Sequence, residues 1–379
     1  MKIDTIIKLS LFMCTQVRLF ATFYEGNTMS GLERKIAVTQ GHDNNQEYIS
    51  SLEDQIQKLT SLHQKIIALP TLEEKLTLVS SLPQVQQFLA ENRSVRTQLQ
   101  GLNARDEYVI KALIALGQGN VVFSGWKLVT DREALFANLV ELLTTTEQFY
   151  GYMGGLIGYH LKTLELMRDQ LAGDAVKDKD DVRFLPPPYV DVRKGGDTAA
   201  EMVVNGLNAL ESMAEIHVVG GAGERLRLID ENTGRSLPVA YLQFCGRPLL
   251  EGLIRDLEAR EYLYYKLIGK QIRVPIVLMT SQDKNNDTLI ADLCQKHNWF
   301  GRPKESIFQL LQPLVPVITI EGNWALKKPG TLVLKPGGHG VIWKLAQERG
   351  AFDWLQKQMK KFCLVRQINN PIAGLDQGL

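Results

Sequence analysis

A short β-branched run that ends in a cluster of glycines is the feature that most constrains how this chain folds. Residues 218–226 read Val-Val-Gly-Gly-Ala-Gly-Glu-Arg-Leu. The valines are typical of a buried strand, and glycines without a Cβ let the backbone approach an anion closely. Successive amide N–H groups can then point at phosphate oxygens. The segment therefore predicts a buried strand that ends at a phosphate, with Arg225 and Arg235 as nearby positive charges.

Spacing excludes two common phosphate-binding motifs. A P-loop needs a hydroxyl residue after Gly-Lys, and the one such pair, Gly269-Lys270, is followed by Gln271. The dinucleotide fingerprint needs a third glycine where this chain has Leu226. From the residues alone, a tight turn without a ligand stays open as the alternative.

Composition narrows the function further. Lysines and arginines number 43 against 42 acidic residues, and because they are interspersed, no basic nucleic-acid surface is indicated. No apolar run approaches the roughly 20 residues of a membrane-spanning helix. The cysteines lie far apart, which is typical of a reducing compartment such as the cytoplasm. They are Cys14, Cys245, Cys294 and Cys363.

The N-terminal stretch, residues 1–44, is predicted to be a poorly ordered tail. Lys8 interrupts its apolar residues, and no small-residue cleavage site follows, so a secretory signal is not indicated. Residues 5–24 contain no acidic side chain, which leaves a plastid transit peptide open as an alternative to a cytoplasmic location. An over-extended start, with Met29 as the initiator, is the preferred interpretation.

Residues 45–176 are predicted to form a helical N-terminal domain. Apolar positions alternate at spacings of four and three, which places them on one face of a helix. They are Leu52, Ile56, Leu59 and Ile66, with His63 in the same series as a packed residue. Pro70 ends this helix, and Thr71 followed by Glu73 and Glu74 is typical of a new, capped helix.

A linker is predicted at residues 177–198, where a charge run precedes three prolines and a glycine pair. From residue 199 to 379 the pattern alternates between helix and strand. Such alternation predicts an α/β fold with a mostly parallel sheet. A ligand would lie at the carboxyl ends of the strands, where the glycine loop falls.

The order of motifs in residues 200–379 resembles that of the UDP-sugar pyrophosphorylase family. The glycine loop resembles the nucleotide loop of that family, and it precedes Thr-Gly-Arg-Ser-Leu-Pro at 233–238 and Phe-Cys-Gly-Arg-Pro-Leu-Leu-Glu at 244–251. Pro-Ile-Val-Leu-Met-Thr-Ser at 275–281, Gln-Pro-Leu-Val-Pro at 312–316 and Lys-Pro-Gly-Gly-His-Gly at 335–340 follow in the family's order. In detail the sequence is most similar to plastid-type UDP-glucose pyrophosphorylases and their bacterial relatives.

The resemblance implies a Rossmann-like nucleotidyltransferase domain of the glycosyltransferase-A type, of which residues 199–379 would be the N-terminal part. It also implies an in-line attack of glucose 1-phosphate on the α-phosphorus of UTP, giving UDP-glucose and pyrophosphate, usually with Mg²⁺. UTP and a sugar 1-phosphate are the expected partners. A C-terminal partner chain would supply the strands that the family has beyond this point.

Site roles also follow from the resemblance. Arg225 would neutralise the triphosphate and stabilise the leaving pyrophosphate, and Arg235 stands where the family generally has a phosphate-binding lysine. His339 would bond a sugar hydroxyl or a phosphate, with a structural role in its turn as the alternative. The nucleotide-binding residues would be Gly220, Gly221, Ala222, Gly223, Glu224, Gln312 and Gly338, of which Gln312 would read the uracil edge.

Three departures from the family pattern keep a second interpretation open. Val341 stands where the family often has an aspartate, and Asn369 follows the last strand where an Mg²⁺-binding aspartate is expected. Asn369 or Asp376 are then the candidate metal ligands, although an amide oxygen binds a hard cation more weakly than a carboxylate does. The sequence also stops at Leu379, before the later strands. The alternative is a non-catalytic nucleotide or nucleotide-sugar binding or interaction protein, a truncated or degenerate family member.

Overall fold

The computed structural model describes residues 31–171, 185, 196–221 and 226–370, with side chains in the first helix from residue 48 onward. Two compact units contain these residues. The helical unit holds the described residues of Val17–Phe184 together with Val315–Lys335. The sheet unit holds those of Leu185–Leu314 and Pro336–Leu379. The predicted linker at 177–198 lies mostly outside the described residues.

The helices and strands are numbered here in chain order. The α-helices are α1 (Gly31–Ala68), α2 (Leu72–Ser81), α3 (Pro83–Glu91), α4 (Arg93–Leu99), α5 (Ala104–Ala115), α6 (Gly119–Val122), α7 (Arg132–Phe149), α8 (Gly155–Leu171), α9 (Asp197–Ala209), α10 (Leu249–Ile268), α11 (Asn286–Lys296), α12 (Ile342–Glu348) and α13 (Ala351–Lys357). The strands are β1 (Met213–Val218), β2 (Gln243–Phe244), β3 (Arg247–Pro248), β4 (Ile276–Ser281), β5 (Ile307–Gln312), β6 (Leu314–Pro316), β7 (Leu326–Lys328), β8 (Thr331–Leu332), β9 (Leu334–Pro336) and β10 (Phe362–Gln367).

Local sequence signals account for the helical unit. The apolar series of α1 is buried, and His63 donates from Nε2 to the carbonyl oxygen of Met153 at 2.8 Å. Thr71 caps α2 as predicted: its hydroxyl accepts from the amide of Glu74, and the Glu74 carboxylate accepts from the amide of Thr71. Since both orphan donors of the first turn are satisfied, the chain restarts a helix directly after Pro70. Helix α1 itself already begins at Gly31, inside the segment that the sequence assigns to a tail.

Residues 315–335 are part of the helical unit although they lie within the motif series of the second half. We call this segment the insert (Val315–Lys335). It contains the short strands β7 and β8, which pair antiparallel. Trp324 and Leu332 are buried in the same apolar core as α1, α5 and α8. The insert is therefore held by side chains that come from the first half of the chain.

A four-stranded sheet in the order β10–β1–β4–β5 organises the sheet unit. All three strand pairs are parallel, which confirms the predicted α/β fold. Strand β4 is buried along its whole length, as expected when helices cover both faces of a parallel sheet. The register pairs Val218 with Gln367 and with Met279, and Ser281 with Gln312, so the carboxyl ends of the strands lie side by side.

No single described helix is long and apolar enough to cross a membrane. Helix α5 and the following residues, 119–128, pass that test only as a pair, bent by 100°.

Candidate functional site

The carboxyl ends of β1 and β5 bring together two residues that the sequence assigns to nucleotide binding. Gly220 follows β1, and Gln312 ends β5. A Cβ on Gly220 would overlap Nε2 of Gln312 and would lie 3.3 Å from Cβ of Ser281. Any larger residue at position 220 would therefore displace the glutamine amide. The requirement for glycine here comes from this close approach between backbone and side chain.

Gln312 has an unusual environment for an amide. The residue is only 2% exposed, and its Oε1 has no hydrogen-bond partner among the described residues. An unpaired buried acceptor costs about 1–3 kcal/mol, so native proteins usually satisfy such groups. The orphaned oxygen lies at the edge of the sheet where ligands of parallel α/β folds bind. Gln312 is therefore a candidate for pairing with a ligand donor.

Asn286 ties the ends of β1 and β4 together. Its Nδ2 donates to the carbonyl oxygen of Val219 at 3.1 Å, and its Oδ1 accepts from the amide of Ser281 at 3.0 Å. Because Asn286 is the first residue of α11 and is buried, it fixes the end of β1, which Gly220 follows, and the end of β4, which pairs with the strand that carries Gln312. Asn286 was not among the site residues predicted from the sequence. Its position just after the hydroxyl pair that ends β4 was the available signal.

The glycine-rich turn before α12 places His339 near the end of β10. The amide of Gly337 donates to the carbonyl oxygen of Pro313 at 3.0 Å. Gly338 follows with φ +92°, a conformation that favours glycine. Nδ1 of His339 lies 3.4 Å from Nε2 of Gln367. Desolvation lowers the pKa of His339, although its side chain is exposed on one side, so the imidazole is neutral at pH 7.

Gln367 is a further candidate site residue that the sequence reasoning did not identify. It pairs in register with Val218, the last residue of β1, and so belongs to the same edge as Gly220. Nothing in the local sequence marks it, since a glutamine at a strand end is common. Only the pairing of the first and last strands brings it to this edge.

Arg235 lies in the sheet unit, on an exposed turn. Ile229 and Ser236 form an antiparallel bridge, and the amide of Asp230 donates to the carbonyl oxygen of Arg235 at 2.8 Å. Hydrogen bonds from Thr233 lower the pKa of Asp230 and brace the turn. No described contact joins Arg235 to Gln312. The predicted site residues Ala222, Gly223, Glu224 and Arg225 lie outside the described residues.

The candidate metal ligands do not form a cation site in the described part of the chain. Asn369 lies in an exposed turn after β10, and Asp376 is outside the described residues. Among the described residues no group of three or more His, Cys, Asp or Glu side chains could hold a metal ion. One neutral amide does not fit a divalent cation, which prefers several oxygen ligands including carboxylates. The use of Mg²⁺ therefore stays a prediction, and no step below depends on it.

A network of buried charges is centred on Glu215, three residues before the last residue of β1. Glu215 is fully buried, accepts from Nε2 of His217 at 2.6 Å and forms an ion pair with Arg260 of α10. Arg366 of β10 lies 3.6 Å from Glu215 and 3.1 Å from Asp256. Burial acts to raise the pKa of Glu215, but the hydrogen bond from His217 and the two guanidinium charges outweigh it and lower this pKa to about 2. The network holds β1, β10 and α10 together below the candidate site.

Comparison with known proteins adds three findings. A family model described as UTP--glucose-1-phosphate uridylyltransferase matches residues 256–379. The chain is 35% identical to UTP--glucose-1-phosphate uridylyltransferase 3, chloroplastic, of Arabidopsis thaliana, over 85% of this chain and 43% of that protein. The structure of the uridine diphosphate N-acetylglucosamine pyrophosphorylase from Trypanosoma brucei, solved with an inhibitor, is similar with a TM-score of 0.52 and 19% identity. That likeness covers 74% of this chain and 54% of the solved one, and it concerns the fold.

Proposed function

Because the chain belongs to the UDP-sugar pyrophosphorylase family, we propose that it binds UTP and supplies the nucleotide-binding part of a uridylyltransferase. The chain spans less than half the length, 43%, of the curated relative that it matches. In the proposed reaction a phosphate oxygen of glucose 1-phosphate attacks the α-phosphorus of UTP. The bond between the α-phosphorus and the oxygen that bridges it to the β-phosphate breaks, and UDP-glucose and pyrophosphate form. Such a displacement needs alignment of the phosphates and neutralisation of their charge, without a covalent enzyme intermediate.

The buried, unpaired Oε1 of Gln312 is the observation that carries this proposal. Uracil presents one N–H donor flanked by two carbonyl acceptors. A primary amide matches a donor–acceptor pair of that edge, accepting through Oε1 and donating through Nε2, as glutamine does with other bases. Cytosine has an unprotonated ring nitrogen and an amino group at the corresponding positions. Gln312 would therefore favour uridine over cytidine nucleotides, because the N–H of uracil would supply a donor to its unpaired Oε1.

The remaining site residues would serve the phosphates and the sugar. Gly220 makes room for the Gln312 amide, and Gly221, whose Cβ would meet nothing within 4 Å, leaves the strand end open to a ligand. The loop that follows them would present its amides to the triphosphate. Arg225 would neutralise the departing pyrophosphate, and Arg235 would add charge from its exposed turn. His339, neutral at pH 7, would donate to or accept from a sugar hydroxyl.

Calorimetric titration with UTP and with CTP tests the proposed nucleotide specificity. We expect the full chain to bind UTP more tightly than CTP, and Gln312→Ala to weaken UTP binding roughly 5- to 100-fold, since a bidentate contact to a base contributes about 1–3 kcal/mol. Gln309→Ala is the matched control, because Gln309 lies on the same strand but is exposed. Equal affinity of wild type and Gln312→Ala for UTP would contradict the assignment.

A pyrophosphate-release assay with UTP and glucose 1-phosphate then tests the chemical step. Release that depends on both substrates supports the uridylyltransferase. Binding of UTP without release would favour the non-catalytic alternative for this chain. A chain that binds neither UTP nor CTP would contradict the uridylyltransferase and would favour the interaction-protein form of the alternative.

Gly220→Ala tests the packing of the site directly. The added Cβ overlaps Nε2 of Gln312, so the amide must move, and we expect UTP affinity to fall about as far as in Gln312→Ala. Gly252→Ala, on α10, is the control because its Cβ would meet nothing within 4 Å. Calorimetry of both variants, with circular dichroism to check folding, gives the comparison. Undiminished UTP binding by Gly220→Ala would show that the Gly220–Gln312 approach is irrelevant to the ligand.

A further inference from the structure

The insert, Val315–Lys335, is anchored in the helical unit at its tip. Trp324 is 1% exposed, and its Nε1 donates to Nδ1 of His160 at 2.9 Å. Its backbone amide donates to Oε1 of Gln118 at 3.0 Å, and Nε2 of Gln118 donates to the carbonyl oxygen of Gly322 at 3.4 Å. Both the side chain and the backbone of the tip are thus bound by residues of the first half of the chain.

Two further contacts hold the other parts of the insert. Gly330, with φ +72°, packs so closely on Trp126 that a Cβ would overlap the indole ring, and its amide donates to the carbonyl oxygen of Val122 at 3.1 Å. Near the start of the insert, the hydroxyl of Tyr159 donates to the carbonyl oxygen of Pro316 at 2.6 Å. The insert is therefore fixed at its tip, at its second turn and at its base.

A continuous backbone ladder runs from the tip of the insert to its ends. Ile318 bridges to Trp324, and the amides of Ala325 and Val333 donate to the carbonyl oxygens of Val317 and Ala325, each at 2.8 Å. The amide of Val317 donates to Val333 at 2.9 Å, and β6 pairs with β9. The last bond of the series is the one from Gly337 to Pro313.

The two ends of this ladder adjoin candidate site residues along the chain. Pro313 directly follows Gln312, and Gly337 directly precedes Gly338 and His339. The hydrogen bond between Pro313 and Gly337 closes the base of the insert and limits the freedom of both neighbours. An anchor at Trp324 therefore restrains, through hydrogen-bonded backbone, the segments that carry the predicted uracil contacts.

We propose that Trp324 is a positioning residue: by anchoring the insert it holds Gln312 and Gly338 in the geometry that binds a uridine nucleotide. The nucleotide part of this inference rests on the proposed function. The backbone part does not, because the ladder restrains Pro313 and Gly337 whatever the ligand.

Hydrogen exchange in the full chain, measured without nucleotide, tests the backbone part. We expect Trp324→Ala to raise exchange about tenfold at the Gly337 amide and in residues 333–337, a size typical of coupling through a packed network. Trp324→Phe, which keeps a ring in the core, should restore slow exchange. Tyr108→Ala is the matched control, since it truncates a buried aromatic of the helical unit that has no described contact with the insert.

Titration of the same variants with UTP tests the nucleotide part. Trp324→Ala should weaken UTP binding about tenfold while Tyr108→Ala and Trp324→Phe stay close to wild type.

If Trp324→Ala speeds exchange only within residues 315–332, or if Tyr108→Ala weakens UTP binding equally, the inference is overturned. If Trp324→Ala does not fold, Gln118→Leu replaces it, because it removes both bonds to the backbone of the tip. Wild-type chain that fails to bind UTP overturns the proposed function, and the exchange experiment still decides the role of Trp324.

Discussion

Each unit of this chain buries a polar cluster, and the two clusters differ in charge. In the helical unit, Gln118, His160 and Trp324 meet through neutral hydrogen bonds. In the sheet unit, Glu215 meets Arg260 and Arg366 through ion pairs. The neutral cluster joins segments more than 160 residues apart in sequence, whereas the charged one joins a strand to its neighbouring strand and helix. Buried polar groups therefore join chain segments through neutral hydrogen bonds in one unit and through ion pairs in the other.

Titration behaviour shows what this difference means physically. Burial lowers the pKa of His160 to about 4, because no charge nearby compensates the imidazolium. Burial acts on Glu215 as well, but its hydrogen bond and the guanidinium charges reverse the net effect and lower the pKa to about 2. The indole N–H bonds to Nδ1, so the proton of neutral His160 lies on Nε2, which has no partner among the described residues. The cluster around His160 is stable when it is uncharged, whereas the cluster around Glu215 depends on its charges.

The largest effect should come from removing one charge of the sheet-unit network. Glu215→Gln leaves Arg260 and Arg366 buried with less compensation, and breaking a buried pair in this way costs about 3–5 kcal/mol in the free energy of unfolding. Urea unfolding monitored by circular dichroism measures it. Glu258→Gln is the control, since its pair with Arg255 is partly exposed and should contribute at most about 1 kcal/mol. Equal losses in the two variants would mean that burial of the network is unimportant.

As the pH falls, the helical unit should lose stability at a higher pH than the sheet unit. The folded state holds His160 neutral, so its stabilising contribution is complete above pH 6.5 and is lost as the pH falls from 6.5 to about 4. The stabilising contribution of Glu215 is complete above pH 4.5 and is lost as the pH falls from 4.5 to about 2. Each loss amounts to about 3 kcal/mol from the displaced pKa values.

Hydrogen-exchange labelling with a pulse at one fixed pH, after incubation across the acid range, reports this order. Amides of α8 should lose protection at a higher pH than amides of β1. Glu147 of the helical unit acts in the opposite direction, because burial raises its pKa and so disfavours the charged carboxylate. Simultaneous loss of protection in α8 and β1 would contradict the assignment of separate windows.

Local patterns made much of the sheet unit predictable. The alternation of strands and helices and the glycine cluster after β1 placed the glycine loop at the carboxyl ends of a parallel sheet, and the ordered motifs singled out Gln312 as a nucleotide-binding candidate. The capping signal at Thr71 is equally local. These features depend on residues within a few positions of one another, which is what a single sequence shows most directly.

Long-range contacts account for what sequence reasoning did not find. Nothing near Trp324 indicates that its indole bonds to His160, so residues 315–335 were not assigned to the helical unit. Gln367 reaches the site only through the pairing of β1 with β10. Glu215 and His217 are polar residues on a buried strand, and their partners on α10 and β10 become visible only with the register. Such positions depend on tertiary packing rather than on local propensity.

The smallest expected change in stability at neutral pH is the one that most sharpens the comparison. His160→Gln keeps an acceptor for the indole N–H of Trp324 but removes the titrating group. Unfolding free energy at pH 7 should change by only about 1 kcal/mol, the scale of one hydrogen bond, while the loss between pH 6.5 and 4 disappears. Urea unfolding at pH 7 and at pH 5 measures the unfolding free energy and its loss on acidification.

His297→Gln is the control, because His297 lies in the sheet unit and is partly exposed, and it should leave the loss of stability at acid pH intact. If His160→Gln retains that loss, another group of the helical unit must carry it, and the contrast between a neutral and a charged cluster would no longer explain the order of acid unfolding.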